Sequence, residues 1–118
     1  MGDFTSEAIL GHLTQIFPGF ASYWESEGDI YRSQDGSFTS CGIFLTFTSF
    51  VRERYDQFRP EAVNALARFL DECMQEPGSK LSDAAAICFL ENLRDESFAT
   101  DLRRHLGGMP LEYFSQFS

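Results

Sequence analysis

The chain has 118 residues, a formal net charge of −9 and a sequence pI near 4.5. That length makes one domain around one core, large enough to fold without metal or disulfide support. Net negative charge on this scale argues against nucleic acid and anionic membranes as partners, because both are bound through Lys and Arg.

The first expected element is a helix from about Thr5 to Phe17. Ile9, Leu10, Leu13, Ile16 and Phe17 recur on one face, the pattern of a half-buried helix. Asp3 or Thr5 suits its N-cap, and Pro18-Gly19 stops it. Residues 20–36 begin as a short helix and continue as an ordered loop, with turn signals at Glu27-Gly28-Asp29 and Gln34-Asp35-Gly36.

Residues 38–58 carry two conflicting periods. Ile43, Leu45 and Phe47 alternate as in a strand, whereas Phe44, Phe47, Val51, Tyr55 and Phe58 recur every three or four residues. The second pattern is longer than a typical strand. It favours a helix from about Gly42 to Gln57, with a β-hairpin before it as the alternative.

Pro60 opens the next helix, whose stripe is Val63, Leu66, Phe69, Leu70, Cys73 and Met74, ended by Pro77-Gly78. Ser82 is the expected cap of a helix burying Ala86, Phe89, Leu90 and Leu93. Asp95 or Ser97 starts another, with Phe98, Leu102 and Leu106 inward and Gly107-Gly108 as its end. Pro110 opens a final turn carrying Leu111, Phe114 and Phe117. The expected architecture is an all-α single domain over residues 1–118, a bundle of about five helices, with a small β-hairpin near residues 30–47 as its one β option. Of the thirteen Phe residues, about ten fall at core spacing.

Cys41, Cys73 and Cys88 are odd in number and form no Cys-x-x-Cys pair. They read as buried thiols in a reducing cytoplasm. No 18-residue apolar stretch exists for a membrane span. The two histidines, His12 and His105, read as structural, the latter as a cation in the last turn of a helix. The cysteine spacing does not make a zinc site. Placing Gly36 at the sixth position of a calcium loop puts Tyr31 first and Gly42 twelfth, which fails the ligand pattern. No glycine-rich phosphate loop or nucleophile elbow occurs. The expectation is a non-enzymatic protein without metal or cofactor.

Charge is unevenly placed. Residues 1–50 hold six acids and one base, Arg32. Within them, Tyr23, Trp24, Glu25, Glu27, Asp29, Tyr31 and Asp35 combine aromatics with carboxylates, the ingredients of a protein-binding hot spot. The competing reading makes Trp24 a core residue and the acids an ordinary loop. A negative field of this kind accelerates encounter with a basic partner.

The stretch Leu81-Ser82-Asp83-Ala84-Ala85-Ala86-Ile87-Cys88-Phe89-Leu90-Glu91-Asn92-Leu93 resembles a motif of small, uncharacterised bacterial helical proteins. In them a Phe-Leu-Glu-Asn-Leu helix is followed by a short helix and a Leu-Gly turn, here Leu106-Gly107. The segment Phe44 to Tyr55 is also similar to an earlier helix of that family. The resemblance implies a cytoplasmic all-α protein, a candidate immunity protein against a secreted antibacterial toxin, and brings no catalytic residues. In it, Phe89, Leu90 and Leu93 are structural, while Glu91 and Asn92 face outward or cap a neighbouring loop. The expected function is binding of a basic cognate toxin so as to block its active site. Its rivals are another acidic protein-binding inhibitor or regulatory adaptor, for example phage-encoded, and an enzyme in which a histidine and a cysteine converge.

Overall fold

The computed structural model describes residues 5–117, and every regular element within them is helical. There are seven α-helices among the described residues: α1 (Ser6–Ile16), α2 (Gly19–Glu27), α3 (Ser40–Arg54), α4 (Pro60–Cys73), α5 (Lys80–Asp83), α6 (Ala99–His105) and α7 (Gly108–Phe114). Short 3₁₀ turns follow α2, α3 and α7. The count exceeds the expected five because the stretch after Pro18 and the turn after Pro110 each form a helix of their own.

Thr5 is the cap of α1, its hydroxyl accepting from Ala8 N at 3.1 Å. Asp3, the other capping candidate, and the side chain of Phe117 lie outside the described residues.

The β-hairpin expected near residues 30–47 does not form. Gly28–Tyr31 is a 3₁₀ turn, a tight turn closes with Ser33 N donating to Ser37 O at 2.8 Å, and α3 begins at Ser40. The helical period wins because Ile43, Phe44, Phe47, Phe50 and Val51 are all buried, a combination that a strand's two-residue period cannot place on one face. The β-branched Thr46 and Thr48 are accommodated by donating their hydroxyls to the carbonyls of Gly42 and Phe44, at 3.0 and 2.7 Å.

α3 is the central helix. It packs against α1, α2 and the segment following α5. Phe47 touches Phe20, Phe50, Phe17 and Phe89 with ring centroids 5.0–6.0 Å apart. α4 packs on α1, α6 and α7 and buries Val63, Leu66, Phe69, Leu70 and Cys73. Eight phenylalanines are buried outright, and Phe38, Phe58 and Phe98 partly so. Among the described residues no buried side-chain nitrogen or oxygen lacks a hydrogen-bond partner.

The segment expected as one regular helix from Ser82 is three pieces. Ser79 is the cap, accepting from Ser82 N at 3.1 Å, and Ser82 itself is buried. α5 then widens into a π-helical stretch, Ala84–Phe89, and tightens into a 3₁₀ turn, Leu90–Leu93. Such a change of pitch frees carbonyls from the helical ladder. The Cys88 carbonyl accepts from Thr48 Oγ1 and from Asn92 Nδ2, both at 3.0 Å. Asn92 therefore caps the irregular stretch from within, and Glu91 accepts from Tyr113 Oη at 3.2 Å.

The expectation of three free thiols holds only for Cys73. Cys41, in the first turn of α3, is disulfide-bonded to Cys88 in the π-helical stretch, with Cα atoms 5.5 Å apart across a sequence separation of 47. Cys73 is free and buried. Gly107-Gly108 also does more than end α6. Gly108 begins α7 at φ +55°, where an added Cβ would run into the Asp71 carboxylate.

Candidate protein-binding surface

α2 and the 3₁₀ turn after it carry most of the residues singled out from sequence. α2 buries Phe20 and Trp24 and leans on α3, where Tyr23 and Phe50 meet edge to face at 5.4 Å. Trp24 is 4% exposed, with Phe38 against its ring at 5.1 Å. It is a core residue, so its ring is not part of any surface. Gly28 makes this possible, since a Cβ there would collide with the indole.

Arg32 closes the end of α2. Its guanidinium donates to the carbonyls of Trp24 (3.0 Å) and Glu25 (3.1 Å) and to Asp29 Oδ1 (2.8 Å), while lying 5.2 Å from the Trp24 ring. A cation on the last carbonyls of a helix satisfies acceptors that the helix leaves open. The one base of residues 1–50 is thus committed to internal contacts.

Tyr23 is half-buried and donates its hydroxyl to Glu53 Oε2 at 2.7 Å. Burial, reinforced by the hydrogen bond and charge of Glu53, pushes its pKa up to about 12. Tyr31 packs its Cβ against Gly42 at the start of α3, where an added Cβ would sit 2.9 Å away. Asp35 accepts from the Ser37 N–H at 3.0 Å and the Ser37 hydroxyl at 2.7 Å, and those bonds, the backbone one first, hold its carboxyl below its ordinary value. It serves its own turn.

Glu25, Glu27 and Asp29 remain on the surface. Next to Asp29 in the chain, in the 3₁₀ turn, stands Ile30, 80% exposed. Sequence reasoning passed over Ile30. Its signal was an isolated β-branched residue outside any helical period, between a carboxylate and an aromatic. The structure brings Glu25, Glu27 and Asp29 to one end of α2 together with an apolar side chain, and turns Trp24, Tyr31 and much of Tyr23 inward.

The other end of α2 borders a groove of about 770 Å³, walled by Ile16, Phe17, Phe50 and Phe58, with Arg54, Arg59 and Glu61 among its lining. His12 stacks on Phe69 at 4.9 Å between centroids. His105 meets Asn64 Oδ1 through Nδ1 at 2.6 Å and lies 3.8 Å from Asp101. The thiol of Cys73 is pushed up to about 12, by burial first and by Glu72 second, the opposite of what a nucleophile requires. Among the described residues no three His, Cys, Asp or Glu side chains are grouped to hold a metal ion. No helix among them is long and apolar enough to cross a membrane.

Residues 10–117 match the model of a domain of unknown function, DUF7674. No curated protein and no solved structure matches the chain.

Proposed function

The chain belongs to the DUF7674 family, and we propose that this member is a protein-binding inhibitor: an immunity protein that engages a basic toxin through the acidic end of α2 and occludes its active site. The observation that carries this reading is Ile30, 80% exposed on the turn that follows Glu25 and Glu27 and carries Asp29, where Arg32, the one base of residues 1–50, is spent on internal contacts. An apolar anchor inside a charged rim is the anatomy of a recognition hot spot. The net charge of −9 adds a field that draws in a basic partner. The reading places the protein in the bacterial cytoplasm, where a toxin would otherwise act.

A regulatory adaptor is the second reading. It is favoured by the groove at the far end of α2, whose Arg54 and Arg59 would suit a second partner of opposite charge.

The test compares the wild-type chain with a Glu25→Lys, Glu27→Lys, Ile30→Ser variant, each tagged and recovered from its native host. Asp29 and Trp24 are left intact so that the Arg32 contacts and the core survive. Under the immunity reading, the wild type retains one basic protein at nanomolar affinity and co-expression abolishes that protein's toxicity, while the variant does neither and keeps its helical content. A partner retained equally by both would refute the surface. A partner that is not toxic would replace immunity by the adaptor reading.

A further inference from the structure

The Cys41–Cys88 disulfide lies outside the acidic surface and has surroundings of its own. Both cysteines are half-buried, and both line a groove of about 500 Å³ together with Phe38, Lys80, Asp83 and Ile87. Ile87, next to Cys88, is 50% exposed. The disulfide therefore opens onto a mostly apolar channel wide enough for a small molecule. Cys41 is the second residue of the fifteen-residue α3, at the helix end whose positive pole favours a thiolate over a thiol. Cys88 belongs to a π-helical stretch, a conformation found often at functional positions. Its carbonyl is held from two sides by Thr48 and Asn92, so Cys88 keeps its place without the sulfur bond.

We infer that Cys41–Cys88 is a redox-active disulfide, a site of thiol–disulfide exchange whose reaction partner is a dithiol reductant entering along the Phe38–Ile87 groove. A thiolate of the reductant attacks Cys88 Sγ. A bond forms between those two sulfurs, the Cys41–Cys88 bond breaks, and its electron pair leaves on Cys41 Sγ, the sulfur best able to carry it. The second thiolate of the reductant then attacks its own sulfur in the mixed disulfide, closing an oxidised dithiol and releasing Cys88. Two electrons and two protons pass from the dithiol to the pair, and an oxidised dithiol reverses the sequence. The apolar lining favours a partner carrying aliphatic or aromatic surface beside its thiols.

The test uses the full chain, with dithiothreitol as the dithiol, alkylation as the quench and peptide mass spectrometry as the readout. Cys73, sealed in the core, is the internal control. The expected result is a reduction rate proportional to dithiothreitol concentration, with helical circular dichroism retained and Cys73 unalkylated. In the reduced protein, Cys41 should then alkylate several-fold faster than Cys88 at neutral pH, because it sits in the first turn of α3 and Cys88 does not. A reduction rate independent of dithiothreitol, with Cys73 alkylated alongside the other two, would mean that the bond opens only through unfolding and would overturn the inference. Equal alkylation of Cys41 and Cys88 would overturn the assignment of Cys41 as the leaving thiolate. Failure of the bond to form with glutathione disulfide would overturn the site altogether.

Discussion

Trp24 is the only tryptophan, and three neighbours fix it: Gly28 beneath the ring, Phe38 at its edge and Arg32 over it. Replacing Gly28 by Ala should force the indole out of its seat, at a cost of about 1–3 kcal/mol for overpacking. A fall in the urea midpoint together with a change in tryptophan emission would show it. Gly11→Ala is the matched control. Gly11 is exposed in α1, and an added Cβ there meets nothing within 4 Å, so that change should stabilise by about 0.5–1 kcal/mol. Arg32→Lys tests the guanidinium. Lysine keeps the charge but lacks the planar fork that reaches two carbonyls and a carboxylate together. The variant should lose about 1–3 kcal/mol, and full stability in the same urea titration would count against the closure of α2 described above.

At the scale of elements, tyrosines tie helices to one another. Tyr23 on α2 donates to Glu53 on α3, Tyr55 after α3 donates to Asp101 on α6 at 2.7 Å, and Tyr113 on α7 donates to Glu91. In all three, burial first and the adjacent carboxylate second raise the tyrosine pKa, for Tyr23 up to about 12. A raised folded value means that the neutral phenol is favoured in the native state. The stabilisation is complete below the unfolded tyrosine value near 10 and fades as pH climbs through the folded values. Thermal stability should therefore decline above about pH 10, and Tyr23→Phe should flatten the part of that decline approaching pH 12. An unchanged alkaline profile in Tyr23→Phe would remove Tyr23 from the account. The disulfide acts at the same scale. Closing a loop across a separation of 47 residues restricts the unfolded chain, so Cys41→Ala with Cys88→Ala should cost up to about 4 kcal/mol by chain entropy, read as a lower melting temperature.

Local signals carried the elements well. The stripe from Val63 to Met74 and the Pro60 start appear as α4 (Pro60–Cys73) with Met74 at its cap position, because period and terminus signals agree there. Where period and propensity disagreed, over residues 38–47, the helix prevailed through long-range burial against Phe20 and Phe89. The break in pitch after Asp83 had no local signal, since the Thr48 hydroxyl that makes it tolerable is forty residues away. The same holds for the disulfide, whose partners come together only when α3 lies beside Ala84–Phe89. The candidate site was half legible. Composition located the acids, but which aromatics turn inward depends on Gly28 and Gly42 as landing places for Trp24 and Tyr31. Ile30 emerges only because the turn faces it outward.

For the whole molecule, charge sets how far its influence reaches. The protein measures 39 × 31 × 23 Å. At 0.01 M salt the screening length is about 30 Å, so the entire net charge acts on an approaching partner, whereas at 0.15 M it is about 8 Å and only the local carboxylates count. The association rate with a basic partner should fall roughly tenfold between those conditions, with a much smaller change in dissociation rate. A salt-independent association rate would detach the acidic surface from recognition.

The Cys41–Cys88 bond also changes the molecule's topology. It makes a covalent ring from the stretch containing α3, α4 and α5, with α1 and α2 as one tail and α6 and α7 as the other. The exposed turn at Pro77-Gly78, with Gly78 at φ +88°, lies on that ring, the kind of loop tip that proteases nick. A single cut there opens the ring without parting the chain. The product runs as one species on a non-reducing gel and separates into two fragments once the sulfurs are reduced. For a cut anywhere on the ring, a protease and a reductant must both act before the two fragments part.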